Sequence, residues 1–343
     1  MNAQVAENLE TKLTKKDFTS DQEVRWCPGC GDYAILNAVQ KLAPTLGIPK
    51  EKFVFVSGIG CSSRFPYYMN TFGFHTIHGR APAFATGVKI ANPDLSVWVI
   101  TGDGDSLSIG GNHFIHSLRR NININILLFN NRIYGLTKGQ YSPTSEQGKK
   151  TKSSPFGSLD YPISATSLAL AADASFIARS YDINAAHLQE TMRQANAHVG
   201  VSLIEIYQNC NIFNDKTHES IIGKPQRIDH TIELEAGKPM LFGAEKNKGI
   251  MIDQGKPKVV TLGENGVTLS DIVVHDPEND FQSFMLTQME YPDFPVPMGI
   301  FRKVEKTSFE KLVHNQNQAV RELKGPANLA SLIKGADTWQ ITD

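Results

Sequence analysis

Cysteine is scarce, with four residues in 343, at Cys27, Cys30, Cys61 and Cys210. So few thiols cannot staple a chain of this length, which must fold around its own hydrophobic core. Net charge is nearly absent too, with 34 basic against 35 acidic side chains and a formal balance of -1. That removes any global electrostatic reason to bind nucleic acid or an anionic membrane. No apolar run approaches the roughly 18 to 20 residues that a membrane-spanning helix needs. The opening stretch MNAQVAENLETKLTKKDFTSDQ also has no hydrophobic segment suited to a secretory signal, so a cytoplasmic protein is expected.

What the chain does have is core-forming sequence, 41% hydrophobic, enough for one large domain with an extension or for two modest ones. Residues 1–22 are polar and mixed in charge and read as a flexible arm. Ile35, Val39 and Leu42 then recur at helical spacing, Pro44, Gly47 and Pro49 end that pattern, and Phe53 to Val56 opens a strand. Helices are expected near 81–91, 108–120, 164–173 and 184–198, and strands at 97–101, 122–129, 176–178 and 201–207. Near-continuous apolar strands separated by helices predict an α/β fold, a parallel sheet covered by helices on both faces. The core domain is expected to span residues 23–215. Residues 216–343 lack the alternation, although 282–291 and 308–323 have helical patterns and 240–244 suits a strand. They read as a C-terminal extension packing on the core or on a partner. Between Asn130 and Ser164 runs a long segment rich in Gly, Pro, Ser, Thr and Lys, a composition and length typical of a functional loop.

The most informative stretch is a strand–helix–strand unit with Gly102-Asp103-Gly104 after its first strand and Asn130-Asn131 after its second. In a parallel sheet these carboxyl ends share one edge, where ligands bind. The glycines let backbone approach a phosphate, and free N–H groups at the helix start favour an anion. Asp103 and Asn131 bring a carboxylate and an amide oxygen to one point, as suits Mg²⁺ shared with phosphate oxygens. Asp105 and Ser106 serve equally well as helix caps.

Cys27-Pro28-Gly29-Cys30 sets two thiols on one tight knuckle, and Cys61 and Cys210 each follow a predicted strand, so all four fall near the same sheet edge. Four thiolates there could hold zinc or an iron–sulfur cluster, and ligand chemistry alone does not choose. A redox centre beside the phosphate site has a use that a structural zinc lacks.

The Gly-Asp-Gly and Asn-Asn pair resembles the diphosphate-binding motif of thiamine-dependent enzymes. Together with WCPGCGDYAIL at 26–36, GIGCSSRFPYY at 58–68, HTIHGRAPAFATGVK at 75–89, IYGLTKGQYSPT at 133–144 and Cys210, the chain resembles the β subunits of the 2-oxoacid:ferredoxin oxidoreductases, specifically the 2-oxoglutarate type. The likeness runs from about residue 23 to 215 and returns near HDPENDFQ at 275–282. It implies a thiamine diphosphate-binding fold and Mg²⁺ held by Asp103, Asn131 and the carbonyl of Ile133. Gly102, Gly104 and Asp105 would sit beside the diphosphate, and Ile59, Gly60, Cys61, Ser62 and His78 around the thiamine. Cys27, Cys30, Cys61 and Cys210 would ligate one [4Fe–4S] cluster. Arg64 would hold the 2-oxoacid carboxylate, Lys138 the distal carboxylate of 2-oxoglutarate, and Leu136 would pack on the substrate chain.

The activity so implied is the CoA-dependent oxidative decarboxylation of 2-oxoglutarate to succinyl-CoA and carbon dioxide, reversible in principle, with electrons leaving through the cluster to ferredoxin. Thiamine activation also needs a glutamate from a pyrimidine-binding domain, which this sequence lacks, and the resemblance places it on a separate α subunit. The competing readings are a subunit of a non-redox thiamine decarboxylase or carboligase, and a zinc-bearing scaffold subunit.

Overall fold

The computed structural model describes residues 13–342. Its first helix, α1 (Asp32–Leu42), buries Ile35, Leu36, Val39 and Leu42 on one face, and β1 (Phe53–Ser57) and β2 (Phe72–His75) follow. Then come α2 (Ala81–Ala91), β3 (Ser96–Gly102), α3 (Gly111–Arg119), β4 (Asn125–Asn130), α4 (Ala165–Ala171), β5 (Phe176–Tyr181), α5 (Ala185–Ala197) and β6 (Ser202–Tyr207). Strands β1, β2, β3, β4, β6 and β5 are mutually parallel, as the sequence pattern predicts. Their apolar runs are continuous because both faces are covered. On β3, Val97 and Val99 join a core layer that also holds Phe114 of α3, whereas Trp98 and Ile100 join the layer holding Leu36 of α1 and Leu188 of α5. On β4, Ile126 and Leu128 divide from Leu127 and Phe129 in the same way.

The chain departs from expectation beyond residue 215. After α6 (Glu219–Ile222), α7 (Lys224–His230) and β7 (Thr231–Glu233), a small antiparallel sheet forms from β8 (Leu241–Phe242), β9 (Lys248–Asp253) and β10 (Lys256–Thr261). Following α8 (Asp280–Gln288), β11 (Val296–Lys303) re-enters the main sheet antiparallel to β5 and pairs with β7, so the order is β2-β1-β3-β4-β6-β5-β11-β7. The expected core boundary at 215 therefore does not divide the sheet. Two of its eight strands come from the C-terminal region. Helices α9 (Phe309–Lys324) and α10 (Leu329–Lys334) close the chain.

The N-terminal expectation also needs correction. Residues 1–12 lie outside the described residues, but Phe18 is fully buried, stacks edge-on against Phe53, and its carbonyl accepts from Asn70 N at 3.0 Å. One buried aromatic ring is enough to pin this polar segment. The helix expected near 108 begins earlier: Asp103 and Gly104 are already helical, and Asp105–Ile109 form a wide π turn before α3. Such turns often mark functional sites. No helix among the described residues is long and apolar enough to cross a membrane.

Candidate active site

The carboxyl ends of β1, β3 and β4 open onto one cleft. Its wall contains Ile59, Gly60, Cys61, Ser62, His78, Gly102, Asp103, Gly104, Asp105, Asn131, Ile133 and Leu136, all named from sequence, together with Phe129, Tyr134, Gly135 and Thr137, which were not. A separate groove between α5 and β11 contains none of these residues.

Asp103, at the end of β3, is 2% exposed. Burial pushes its carboxyl up to about 6, against the opposing pull of two hydroxyl donors. Ser142 Oγ donates to its Oδ2 at 2.5 Å and Thr144 Oγ1 to the same oxygen at 2.6 Å, so neither occupies Oδ1. Asn131 stands across the cleft, where its Oδ1 accepts from Ile133 N at 3.2 Å and fixes the turn that presents the Ile133 carbonyl region. One buried carboxylate with a spare oxygen, one amide oxygen and a neighbouring carbonyl are the hard oxygen donors that Mg²⁺ takes, and a bound cation would offset the burial of Asp103. The donor set fits the ion. The Tyr134 ring packs directly on Gly104, where a Cβ would lie 2.1 Å from it.

Asp105 lines the same cleft and also ties its loops together. Its Oδ1 accepts from Ile59 N at 3.0 Å, Gly79 N at 2.7 Å and His78 Nδ1 at 2.5 Å, while Oδ2 accepts from Thr101 Oγ1 at 2.8 Å. This carboxylate is occupied in tying the loops after β1 and β2 to β3. With Nδ1 facing Asp105, His78 is held by one ring nitrogen, and its other nitrogen is available to a ligand.

The thiols converge beside the same cleft. A Cβ on Gly135 would lie 3.5 Å from both Cys61 Sγ and Cys210 Sγ, so two cysteines distant in sequence flank one backbone point. Burial, then the Asp32 charge, then neighbouring thiols push Cys61 up to about 12, and the same causes raise Cys30 further. Asp32, in the first turn of α1, is 1% exposed, and burial pushes its carboxyl up to about 7 against the opposing pull of the Cys30 thiol beside it. Gln208 Nε2 donates to Cys30 Sγ at 3.3 Å, which favours a thiolate there. Among the described residues no three His, Cys, Asp or Glu side chains meet at the spacing of a single metal ion.

Two substrate residues fall outside the cleft wall. Arg64 is half-buried behind Cys61, where its Nε donates to Tyr68 Oη at 3.0 Å. Lys138 is exposed, with φ 74°, and lines a separate groove with Lys149, Lys150, Lys152 and Phe213. The turn from Tyr134 to Gln140 directs Leu136 and Thr137 to the cleft and carries the next side chain past it. Ser142, Thr144 and Tyr134 went unrecognised in the sequence. The run of hydroxyls Tyr141-Ser142-Pro143-Thr144-Ser145, shortly after the Asn-Asn pair, was the available signal.

A parallel sheet with a diphosphate-type cleft at its carboxyl edge defines a thiamine-dependent enzyme domain, and residues 58–206 match the family described as thiamine pyrophosphate enzyme, C-terminal TPP binding domain. The chain is 50% identical over 331 residues to the 2-oxoglutarate oxidoreductase subunit KorB of Mycobacterium tuberculosis, covering 95% of this chain and 88% of that one. It is 41% identical over 221 residues to the 2-oxoglutarate synthase subunit KorB of Archaeoglobus fulgidus, covering 64% of this chain and 78% of that one. Among solved structures it superposes on the 2-oxoglutarate:ferredoxin oxidoreductase from Magnetococcus marinus with 2-oxoglutarate, coenzyme A and succinyl-CoA bound. The TM-score is 0.76 at 30% identity, over 97% of this chain and 98% of that one. The chain belongs to the family of 2-oxoacid:ferredoxin oxidoreductase β subunits.

Proposed function

We propose that this chain is the cofactor-bearing half of a CoA-dependent 2-oxoglutarate:ferredoxin oxidoreductase, holding thiamine diphosphate, Mg²⁺ and one [4Fe–4S] cluster. The observation that carries this reading is the position of Cys61, which lines the cleft and also faces Cys210 in the thiol group. Electrons released in the cleft then have the cluster ligands as immediate neighbours. When bound, thiamine diphosphate supplies the nucleophilic carbon for decarboxylation of a 2-oxoacid, and the cluster supplies a one-electron path outward.

This chain's residues supply position and charge. Asp103, Asn131 and Ile133 would hold Mg²⁺, with Gly102 and Gly104 letting backbone reach the diphosphate. Asp105 orients His78 toward the thiamine, and Ile59, Gly60 and Ser62 exclude water from its face. Cys27, Cys30, Cys61 and Cys210 would ligate the iron. Arg64, a cation beside the cleft residue Cys61, suits the 2-oxoacid carboxylate, with Leu136 at the mouth against its chain. The lysine groove offers a positive surface to an acidic electron carrier such as ferredoxin. An α subunit would contribute the glutamate that activates the cofactor, which makes the working unit at least an αβ pair.

The test is anaerobic co-expression with the α subunit and assay with 2-oxoglutarate, 2-oxobutyrate and pyruvate, CoA and a viologen. Iron, sulfide and low-temperature EPR would be measured on the same preparation. The expected result is a brown complex that reduces viologen fastest with 2-oxoglutarate, and whose EPR signal is lost in Cys210→Ser. Colourless protein containing zinc would overturn the redox reading in favour of a scaffold. An intact EPR signal in Cys210→Ser would remove that thiol from the cluster.

A further inference from the structure

Beyond the residues that would touch Mg²⁺, the structure singles out a hydroxyl clamp behind them. We infer that Ser142 and Thr144 are positioning residues that hold the Asp103 carboxylate in the orientation the cation requires and so set the affinity of the diphosphate–Mg²⁺ site. This inference rests on the assignment of Asp103 and Asn131 to that ion.

Four features of the geometry carry it. Both hydroxyls donate to Oδ2 of Asp103, at 2.5 Å and 2.6 Å, and both residues are buried, at 2% and 4% exposure. Water therefore does not replace either bond, and hydroxyl–carboxylate bonds this short are of the strong, charge-assisted kind. Both contacts fall on one oxygen, which leaves the rotation of the carboxylate fixed and Oδ1 free of them. Pro143 between the two donors restricts the backbone so that their hydroxyls approach Asp103 together.

The clamp also joins the two strand ends that carry the metal ligands. Thr144 Oγ1, whose single proton goes to Asp103, packs beside Asn130, the neighbour of the ligand Asn131. Asn130 is held separately, because its Nδ2 donates to Glu205 Oε1 at 2.7 Å and Glu205 is paired with the buried Arg179 at 2.7 Å. Ser145 Oγ donates to the Arg132 carbonyl at 2.6 Å and accepts from Ser142 N at 2.8 Å, closing the loop on the β4 side. The 142–145 turn thus spans from the Asp103 end to the Asn131 end. The β3–β4 ladder ends at Gly102 and Phe129, and the turn carries that connection on to the side chains beyond it. Partners that orient metal ligands in this way change metal affinity by about 10- to 100-fold when removed.

The test uses the co-purified αβ protein and reads binding rather than turnover. Thiamine diphosphate is titrated by calorimetry at a series of Mg²⁺ concentrations, for wild type, Thr144→Val, Thr144→Ser and Ser142→Ala. Thr144→Val keeps the shape and loses the hydroxyl, and should raise the half-saturating Mg²⁺ concentration about tenfold or more. Thr144→Ser should return it to near the wild-type value, a rescue that a purely structural role for the methyl group would not give. Ser142→Ala should raise it in the same direction, and it decides the matter if Thr144→Val does not fold. Wild-type Mg²⁺ dependence in folded Thr144→Val, or in Ser142→Ala, would overturn the inference. A wild-type protein that binds the diphosphate without regard to Mg²⁺ would instead overturn the assignment of the ion to Asp103.

Discussion

At the residue scale, Gly104 and Asp105 show how closely the site is built. The space beside Gly104 is filled by the Tyr134 ring, whose hydroxyl donates to the Gly104 carbonyl at 3.1 Å. Gly104→Ala must push that ring away, and overpacking of this kind costs roughly 1–3 kcal/mol. Urea denaturation should show a loss of that size together with weaker diphosphate binding. Tyr134→Ala in the same chain should recover part of both, since two side chains in contact are coupled. Equal losses in the single and double variants would show that Tyr134 is not the obstacle. The glycine and the Asp103–Asn131 pair were legible in the sequence because they form a local motif on one strand–helix–strand unit. The work done by Asp105 was not, because its partners, Ile59, His78 and Gly79, come from two other loops and become neighbours only when the strands align.

At the element scale, β3 and β4 were legible because burial on both faces leaves a near-continuous apolar run. Strand β2 was not, since its four residues, Phe72 to His75, are all exposed and follow no alternating pattern. Strand β11 was hidden by Pro297, Gly299 and Arg302, residues that argue against a central strand. The fold accommodates the last of these by burying its guanidinium against the Ala174 carbonyl at 2.6 Å and Asp280 at 3.0 Å. Among the loops, the one after β6 matters most, because it links the thiol group to the Mg²⁺ site. Asn214 N donates to the Cys210 carbonyl at 2.9 Å, and its side-chain amide donates to the carbonyls of Asn131 at 2.9 Å and Arg132 at 3.2 Å. Its Oδ1 accepts from Lys149 Nζ at 2.5 Å. Asn214→Ala removes the donor to the Asn131 carbonyl, while the Arg132 carbonyl keeps Ser145 and Lys149 keeps Glu146, and should cost roughly 1 kcal/mol in chemical denaturation. Iron content per αβ pair should fall as the Cys210 loop loosens. Full iron content in a destabilised variant would show that the loop is held by its cysteine alone.

At the scale of the whole molecule, the C-terminal region stays in the core well past residue 215. The segment up to the first turn of α9 completes the main fold: Phe301 is fully buried in the core, Arg302 is nine-tenths or more buried, and Glu310 accepts from Asn123 N at 3.3 Å. From Lys311 onward the side chains are largely exposed. Leu329, Leu332, Ile333, Trp339 and Ile341 are between 69% and 88% exposed and contribute nothing to the core of this chain. No sequence pattern announces how far the core reaches, because the pairing of β11 with β5 joins segments more than a hundred residues apart, and only the assembled sheet reveals it. Two truncations separate the regions. A chain ending at Gly325 should unfold within about 2 °C of the full-length chain, a shift worth about 1 kcal/mol, because little buried contact is removed. A chain ending at Tyr291 exposes the backbone edge of β5 and removes Phe301 from the core. A bare strand edge pairs with other chains, so this product should be insoluble or molten, as judged by near-ultraviolet circular dichroism and sedimentation. If the shorter chain folds with an unchanged midpoint, β11 is dispensable and the boundary at 215 is restored. If instead the chain ending at Gly325 loses many degrees, the exposed tail is contributing contacts that the isolated fold does not contain.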